Sequence, residues 1–226
     1  MTSVEAFKRL LLKVNKNDTN TDIDISKGEF VLLFNEQSKR WLKTKLNEKS
    51  SVIDIQDLAE IQVKFLPLEK LDENDDYAIF ALPLNFFNYA SSYSVCSSKD
   101  CKGVRVFNFP FKPLNENMLL EDANSLPSLD FEETIVDLSE GKIFVFKKDF
   151  TVDKVLLNYY RSVIDIDIEG YVRLDGKPST NIDPDIQDQY VDEVIDRCAL
   201  EIIRRYENPD GFQLAKERII TENGTR

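Results

Sequence analysis

The sequence predicts an α+β fold, with helices at both ends and an antiparallel, β-rich middle. Three observations carry this reading. Apolar residues recur at helical spacing in the first fifty positions. From Tyr77 to about Asp175 they alternate in short runs broken by turn residues. From Ile186 onward helical spacing returns for over five turns. Helices segregated from strands argue for α+β rather than for the alternating units of a parallel sheet.

Each element has its own signal. Val4, Phe7, Leu11 and Val14 mark a helix over Ser3–Val14, with Ser3 as its cap. The polar stretch Asn15–Ile25 breaks it. Ser26 and Glu29 then form a capping box, in which the hydroxyl accepts an orphan N–H and the carboxylate reaches back. The helix that follows runs to about Asn47, with Phe30, Leu33, Phe34, Gln37, Trp41 and Leu42 on one broad face. A short third helix fits Val52–Glu60. The acid-rich run Glu69–Asp76 reads as a loop. Tyr77–Leu82 alternates up to Pro83, and Leu84–Tyr89 reads as a helical turn.

Ser91–Ser98 and Val104–Phe109 form a strand pair around Cys101–Gly103, and Leu114–Asn124 a short helix. Phe131–Asp137 and Lys142–Lys147 form a hairpin through Glu140 and Gly141. Val152–Ser162 is the strongest strand. Tyr171–Leu174 leads into an Asp175-Gly176 turn. Asp183 and Pro184 open a long helix as N-cap and N1. Asn208–Gly211 ends it, and Phe212–Thr221 is a last short helix. The expected organisation is one subunit: a helical part (1–60), a β-rich part (77–175), a closing helix (183–208) and a tail (209–226).

The chain has 226 residues, ample for a real core, and a formal charge of −12. Residues 1–50 carry +3, residues 51–182 −10 and residues 183–226 −5. Such acidity disfavours a tight grip on phosphates. Histidine is absent, which removes Ser-His-Asp and Cys-His catalysis and His-ligated zinc. The three cysteines, Cys96, Cys101 and Cys198, are too few for a disulfide framework or a zinc ribbon and suggest a reducing compartment. No glycine-rich phosphate loop or GxSxG elbow is present. The longest apolar runs, such as Phe30–Phe34, fall far short of a membrane span, and Met1–Lys16 lacks the apolar core of a secretory signal.

The candidate chemistry is sparse. Asp165, Asp167 and Glu169 alternate with isoleucines and in a strand would share one face. Such a cluster suits Mg²⁺ or Ca²⁺, but no second cluster at metal-ligand spacing joins it, and an acidic wet face is the simpler explanation. Asp22 and Asp24 repeat the pattern in a loop. The basic run Lys39–Lys49 can meet phosphates or an acidic partner, but such runs are usually solvated faces. Trp41 reads as core, as does Cys198. Asp183, Asp185 and Tyr190 are explained by helix initiation. Phe86, Phe87, Tyr89, Tyr93, Phe107, Phe109 and Phe111 exceed what a small β-core needs; they fill it, or some of them anchor an interface. No catalytic, cofactor-binding or metal residue is assigned.

Four stretches carry a resemblance. They are Gly28–Trp41, with its long apolar face; Ala78–Pro83, a strand ending in Leu-Pro; the pair Gly141–Phe146 and Thr151–Arg161; and Ile182–Ile195. Their order resembles head-to-tail ring (adaptor) proteins of short-tailed bacteriophages. More narrowly, it is similar to structural ring proteins of crAss-like phages that infect gut Bacteroidales. The resemblance spans residues 26 to 210 and rests on order more than on identity.

It implies a non-enzymatic virion protein of the neck or tail, made in the host cytoplasm. Such proteins assemble as twelve-fold homo-oligomeric rings against the portal and other ring or tail proteins. They line part of a DNA conduit without gripping the DNA, and they involve no cofactor and no membrane. Two other readings stay open: a carboxylate-dependent metal enzyme such as a phage nuclease, using Asp165, Asp167 and Glu169, and a cytosolic interaction domain.

Overall fold

The computed structural model describes residues 1–16, 23–47, 58–110 and 127–205. The chain divides into a helical unit, Met1–Asp57 with Val163–Arg226, and a β unit, Leu58–Ser162. Of the expected short helix Val52–Glu60, residues 52–57 lie outside the described residues, and Ala59–Ile61 forms a single 3-10 turn; Leu114–Asn124, Phe212–Thr221, Phe111, Asp22 and the tail also lie outside the described residues.

In the helical unit, α1 (Ser3–Lys16) is capped by Thr2, one residue earlier than expected. The Thr2 hydroxyl accepts from the Glu5 amide at 3.2 Å, and the Glu5 carboxylate accepts from the Thr2 amide at 2.9 Å, a complete capping box. The buried stripe is Ala6, Leu10 and Val14, while Val4 is exposed. α2 (Lys27–Asn47) matches its expected span, and all six expected face residues are buried. Its cap is Ser26, whose hydroxyl accepts from the Glu29 amide at 3.1 Å.

α3 (Asp188–Arg205) starts later than expected. Asp183 does not cap it; its carboxylate instead accepts from the Ser3 amide, in the first turn of α1, at 2.8 Å. The Gln187 carbonyl accepts the first α3 amides, those of Tyr190 and Val191. α3 packs on both α1 and α2. Phe7, Phe30 and Phe34 follow one another with ring centroids 5.3 and 5.5 Å apart, and Trp41 meets Tyr190 at 5.1 Å. Full burial of each such side chain contributes about 2 kcal/mol. Along the outside, Met1, Arg9 and Lys13 pair with Asp188, Asp192 and Asp196. Both sets of numbers rise together, so α1 and α3 run parallel.

The β unit holds eight strands: β1 (Gln62–Pro67), β2 (Lys70–Glu73), β3 (Tyr77–Ala81), β4 (Phe86–Ser97), β5 (Val104–Pro110), β6 (Glu133–Ser139), β7 (Lys142–Phe146) and β8 (Thr151–Arg161). Their order is β1-β8-β4-β5-β6-β7-β3-β2. All pairs are antiparallel except β5 with β6, which is parallel. β1 and β2 are consecutive in the chain yet stand at opposite ends of this order. The hand-over lies at Leu68, whose amide donates to Val155 of β8, and Glu69, whose carbonyl accepts from Ala81 at the end of β3. The sheet therefore curls and closes on the segment 62–73 as a barrel. Ala78, Phe80, Cys96, Val106, Val136, Ile143, Val145, Val155 and Leu157 fill its interior.

Three expectations for this region are corrected. Part of the acidic run Glu69–Asp76 is strand β2, because Glu73 pairs with Lys147 at 3.1 Å and accepts from the Val152 amide. Leu84–Tyr89 is not a helical turn: the Phe86 amide donates to the Pro83 carbonyl and β4 begins at once. The strands span Gln62 to Arg161 rather than 77–175, and Tyr171–Leu174 contributes only the isolated bridge of Val172 with Pro178. At the expected hairpin, Glu140 and Gly141 have φ of 51° and 72°, the left-handed pair that a two-residue loop requires.

Candidate functional site

The alternating carboxylates do not share a face. Residues 164–169 form no strand, only the bridge of Asp167 with Ile182. Ile166, Asp167 and Ile168 are all buried, in a segment held by Asn35, whose side chain accepts from the Ile166 amide at 2.8 Å and donates to its carbonyl at 3.1 Å. Asp167 accepts from the Tyr171 hydroxyl at 2.8 Å, the Thr180 amide at 2.8 Å and Nε of Arg173 at 2.8 Å, with a second guanidinium nitrogen also in contact.

Burial alone would push the Asp167 carboxyl up. The Thr180 amide, the Tyr171 hydroxyl and the Arg173 guanidinium outweigh it and hold the group at about 2. Burial, together with the Asp167 carboxylate, pushes the Tyr171 phenol up to about 12. Asp165 points elsewhere, pairing with Lys39 at 2.7 Å, and Glu169 is exposed beside Asn181. Among the described residues no three acidic or cysteine side chains are placed to hold a metal ion. Asp24 is exposed. Asp183 and Asp185 accept the backbone amides of Ser3 and Ile164, and Tyr190 lies in the core.

The basic run is largely matched within its own unit. Lys39 meets Asp165, Arg40 meets Glu36 at 2.6 Å, and Lys45 meets Glu193 at 3.3 Å. Trp41 is buried and donates its indole N–H to Glu193 at 2.9 Å. The three cysteines are free. Burial pushes the Cys96 thiol up to about 12 and raises that of Cys198, so neither is a ready nucleophile. Cys101 is exposed. Among the described residues no helix is long and apolar enough to cross a membrane.

Two surface features remain, one on each unit. On the helical unit, α2 and the segment 165–182 border an open groove of about 840 Å³. Its walls include Leu32, Val172 and Leu174, all more than half exposed. Glu36, Asp165 and Asp175 stand among its lining, and the whole lining carries five carboxylates against Arg173 and Arg205.

On the β unit, strands β1, β8, β4 and β5 present an aromatic face. Phe65, Phe107 and Phe109 are 54%, 52% and 51% exposed. Tyr93 stands opposite Phe107 on one side and Leu156 on the other. Phe65 meets Tyr93 edge-on at 6.1 Å, and the Arg105 guanidinium lies 3.8 Å over the Tyr93 ring and 5.7 Å from Phe107.

Phe65 is the unusual member. It sits at a break in the β1–β8 register with φ of +56°, and its amide donates to Asn158 Oδ1 at 2.7 Å. A left-handed backbone at a bulky residue costs on the order of 1 kcal/mol or more. The bulge turns an aromatic ring outward that ordinary alternation would not place there.

The expected aromatics thus divide by burial. Phe86 and Tyr89 pack on the barrel interior, while Phe107 and Phe109 stand outside. Sequence reasoning missed Phe65 and Arg105. The alternation Arg105, Phe107, Phe109 was a readable signal for one of them, whereas Phe65 becomes visible only once β1 and its bulge are known. No protein-family model matches the chain, and no curated protein is detectably similar to it.

Proposed function

We propose that the chain is a structural, non-enzymatic virion protein: one subunit of a homo-oligomeric head-to-tail connector ring that joins portal to tail and forms part of the DNA conduit. The observation that carries this reading is the exposed aromatic face of the barrel. Three half-exposed phenylalanines, a tyrosine and a stacked arginine are the residue types that anchor protein–protein contacts. Other features agree with it. The barrel interior is filled by side chains, and the buried thiols are unreactive. The net charge of −12 suits a wall that DNA passes without adhering.

The order of elements that resembles ring proteins of crAss-like phages supplies the particular assembly, its portal and tail neighbours, and the twelve-fold expectation. Native mass spectrometry of the full chain, alone and with the cognate portal, tests the proposal. A ring, or a portal-dependent ring, is expected. A chain that stays monomeric in both samples sinks it.

A further inference from the structure

We infer that the open groove on the helical unit is the seat of the chain's own C-terminal segment. Phe212–Thr221, as an amphipathic helix, turns back after α3 and lies along α2 with Phe212, Ala215 and Ile219 in the groove. The inference is independent of the ring reading. Charge does not choose the occupant, because each of the five carboxylates in the lining is already paired within the unit, Glu29 with Arg205 at 3.8 Å among them. What the groove leaves uncovered is apolar: Leu32, Val172 and Leu174 are 56%, 70% and 90% exposed. Their burial calls for an apolar partner.

Position does choose the occupant. α2 and α3 are antiparallel: Trp41 meets Tyr190 and Lys45 meets Glu193 at one end, and Glu29 meets Arg205 at the other. Arg205 is the last residue of α3 and itself borders the groove. The chain therefore leaves α3 at the groove's edge, with residues 206–226 still to follow. Asn208-Pro209-Asp210-Gly211 supplies the residues of a turn. The stretch 206–211 reaches up to about 20 Å, more than the roughly 8–10 Å between packed helices. A segment that reverses there runs beside α2 from Gly28 toward Glu36, the part of α2 that lines the groove. That part is about 12 Å long, and Phe212–Thr221 in helical form is about 14 Å.

The segment also has the pattern the groove needs. Phe212, Ala215 and Ile219 stand at i, i+3 and i+7, one stripe of a helix, with Glu217 and Thr221 on the opposite side. So short a helix is marginal by itself and gains its stability from a docked apolar face. Tethering favours this segment over any separate chain. A short linker holds it at an effective concentration of about 1 mM. Even a weak intrinsic dissociation constant of about 0.1 mM then leaves the docked state favoured about tenfold.

Thiol trapping on the full chain tests the inference. In a Cys101→Ser background the remaining native thiols, Cys96 and Cys198, are buried. Leu174→Cys is first labelled with a maleimide. Adding Ile219→Asp should unseat the segment and speed labelling by about tenfold. Glu217→Gln, off the stripe, should leave the rate unchanged. Trp41 fluorescence, unaltered in all of these, shows that the unit stays folded. Leu32→Cys is then combined with Ala215→Cys or with Glu217→Cys and oxidised with glutathione disulfide. Ala215→Cys should close a disulfide within one chain at least about tenfold faster than Glu217→Cys.

Equal labelling with and without Ile219→Asp overturns the inference. So does a disulfide that forms equally from both tail positions, which marks a segment that visits the groove without docking. A disulfide between two chains, read as a dimer on a non-reducing gel, gives the groove to a second copy's segment and overturns the intramolecular seat. None of these outcomes touches the ring reading, which native mass spectrometry decides.

Discussion

In the helical unit the buried polar side chains include a full charge, Asp167, gripped by an arginine, a tyrosine and a backbone amide. Among the described residues of the barrel the buried polar side chains are neutral. Ser94 donates to Asn108 at 2.8 Å, Asn108 donates to Ser92 at 2.8 Å, and Thr134 donates to the Phe146 carbonyl. The barrel closes through backbone ladders and an apolar interior. The helical unit adds charged contacts, both in the Asp167 knot and along α1 and α3. Neutral buried polar groups leave stability insensitive to pH, whereas a buried carboxylate couples it to protons. The units should therefore respond to different insults, and the single tryptophan, Trp41, reports on the helical unit alone.

The largest effect should come from the barrel interior. Phe80 is fully buried between β-strand neighbours, and Phe80→Ala should cost about 3–5 kcal/mol through lost burial and the cavity left behind. Hydrogen exchange read by mass spectrometry should show faster exchange in peptides from β3 and β7, its ladder partner. If Trp41 fluorescence shifts under native conditions, the barrel is not an independent unit and the comparison fails.

Acid should strike the other unit. Asp167 sits at about 2, below its ordinary 3.8, so its contribution is complete above that ordinary value and is lost as pH falls toward 2. The loss should be about 1–2 kcal/mol, discounted because the Arg173 side of the pair is one-third exposed. Urea midpoints followed by Trp41 fluorescence should fall between pH 5 and 2, and Asp167→Asn should flatten that dependence. Among the described residues of the barrel the comparable group is Glu73 at the seam. Burial raises its carboxyl, but Lys70, Lys147 and the Val152 amide bring it below the usual range. Exchange in β2 peptides at low pH separates its contribution from that of Asp167.

The parts legible in the sequence are those set by neighbours within a turn or two. α2 was readable because Phe30, Phe34, Trp41 and Leu42 repeat along one face, and the Glu140-Gly141 hairpin because two residues dictate its backbone. What escaped was set by distant partners. β2 carries acids that would read as loop anywhere but at a seam, where Lys70 and Lys147 face Glu73. The alternation of Ile164 to Glu169 encodes a strand only where a ladder partner exists, and here Asn35 and Arg173 gather the segment instead. Asp183 has every mark of an N-cap, yet the amide it serves is 180 positions earlier. Of the candidate surfaces, Phe107 and Phe109 were visible as surplus aromatics. Phe65 and the groove depended on a bulge and on a packed loop, neither of which leaves a local pattern.

The smallest effect tests how finely the units separate. Thr2→Ala removes the hydroxyl that accepts the Glu5 amide and dismantles one half of the capping box. The cost should be about 1 kcal/mol, because the freed amide lies at an exposed helix end where water can replace the hydroxyl. Thr2→Ser keeps the oxygen and should restore the wild-type midpoint. α1 also holds to α3 through Met1, Arg9 and Lys13, so losing the cap should fray only its first turn. Exchange should quicken at residues 3–6 and nowhere in the β unit. A loss well above about 1 kcal/mol, or faster exchange in the barrel, would mean that the helical unit transmits its end effects and that the two units fold as one.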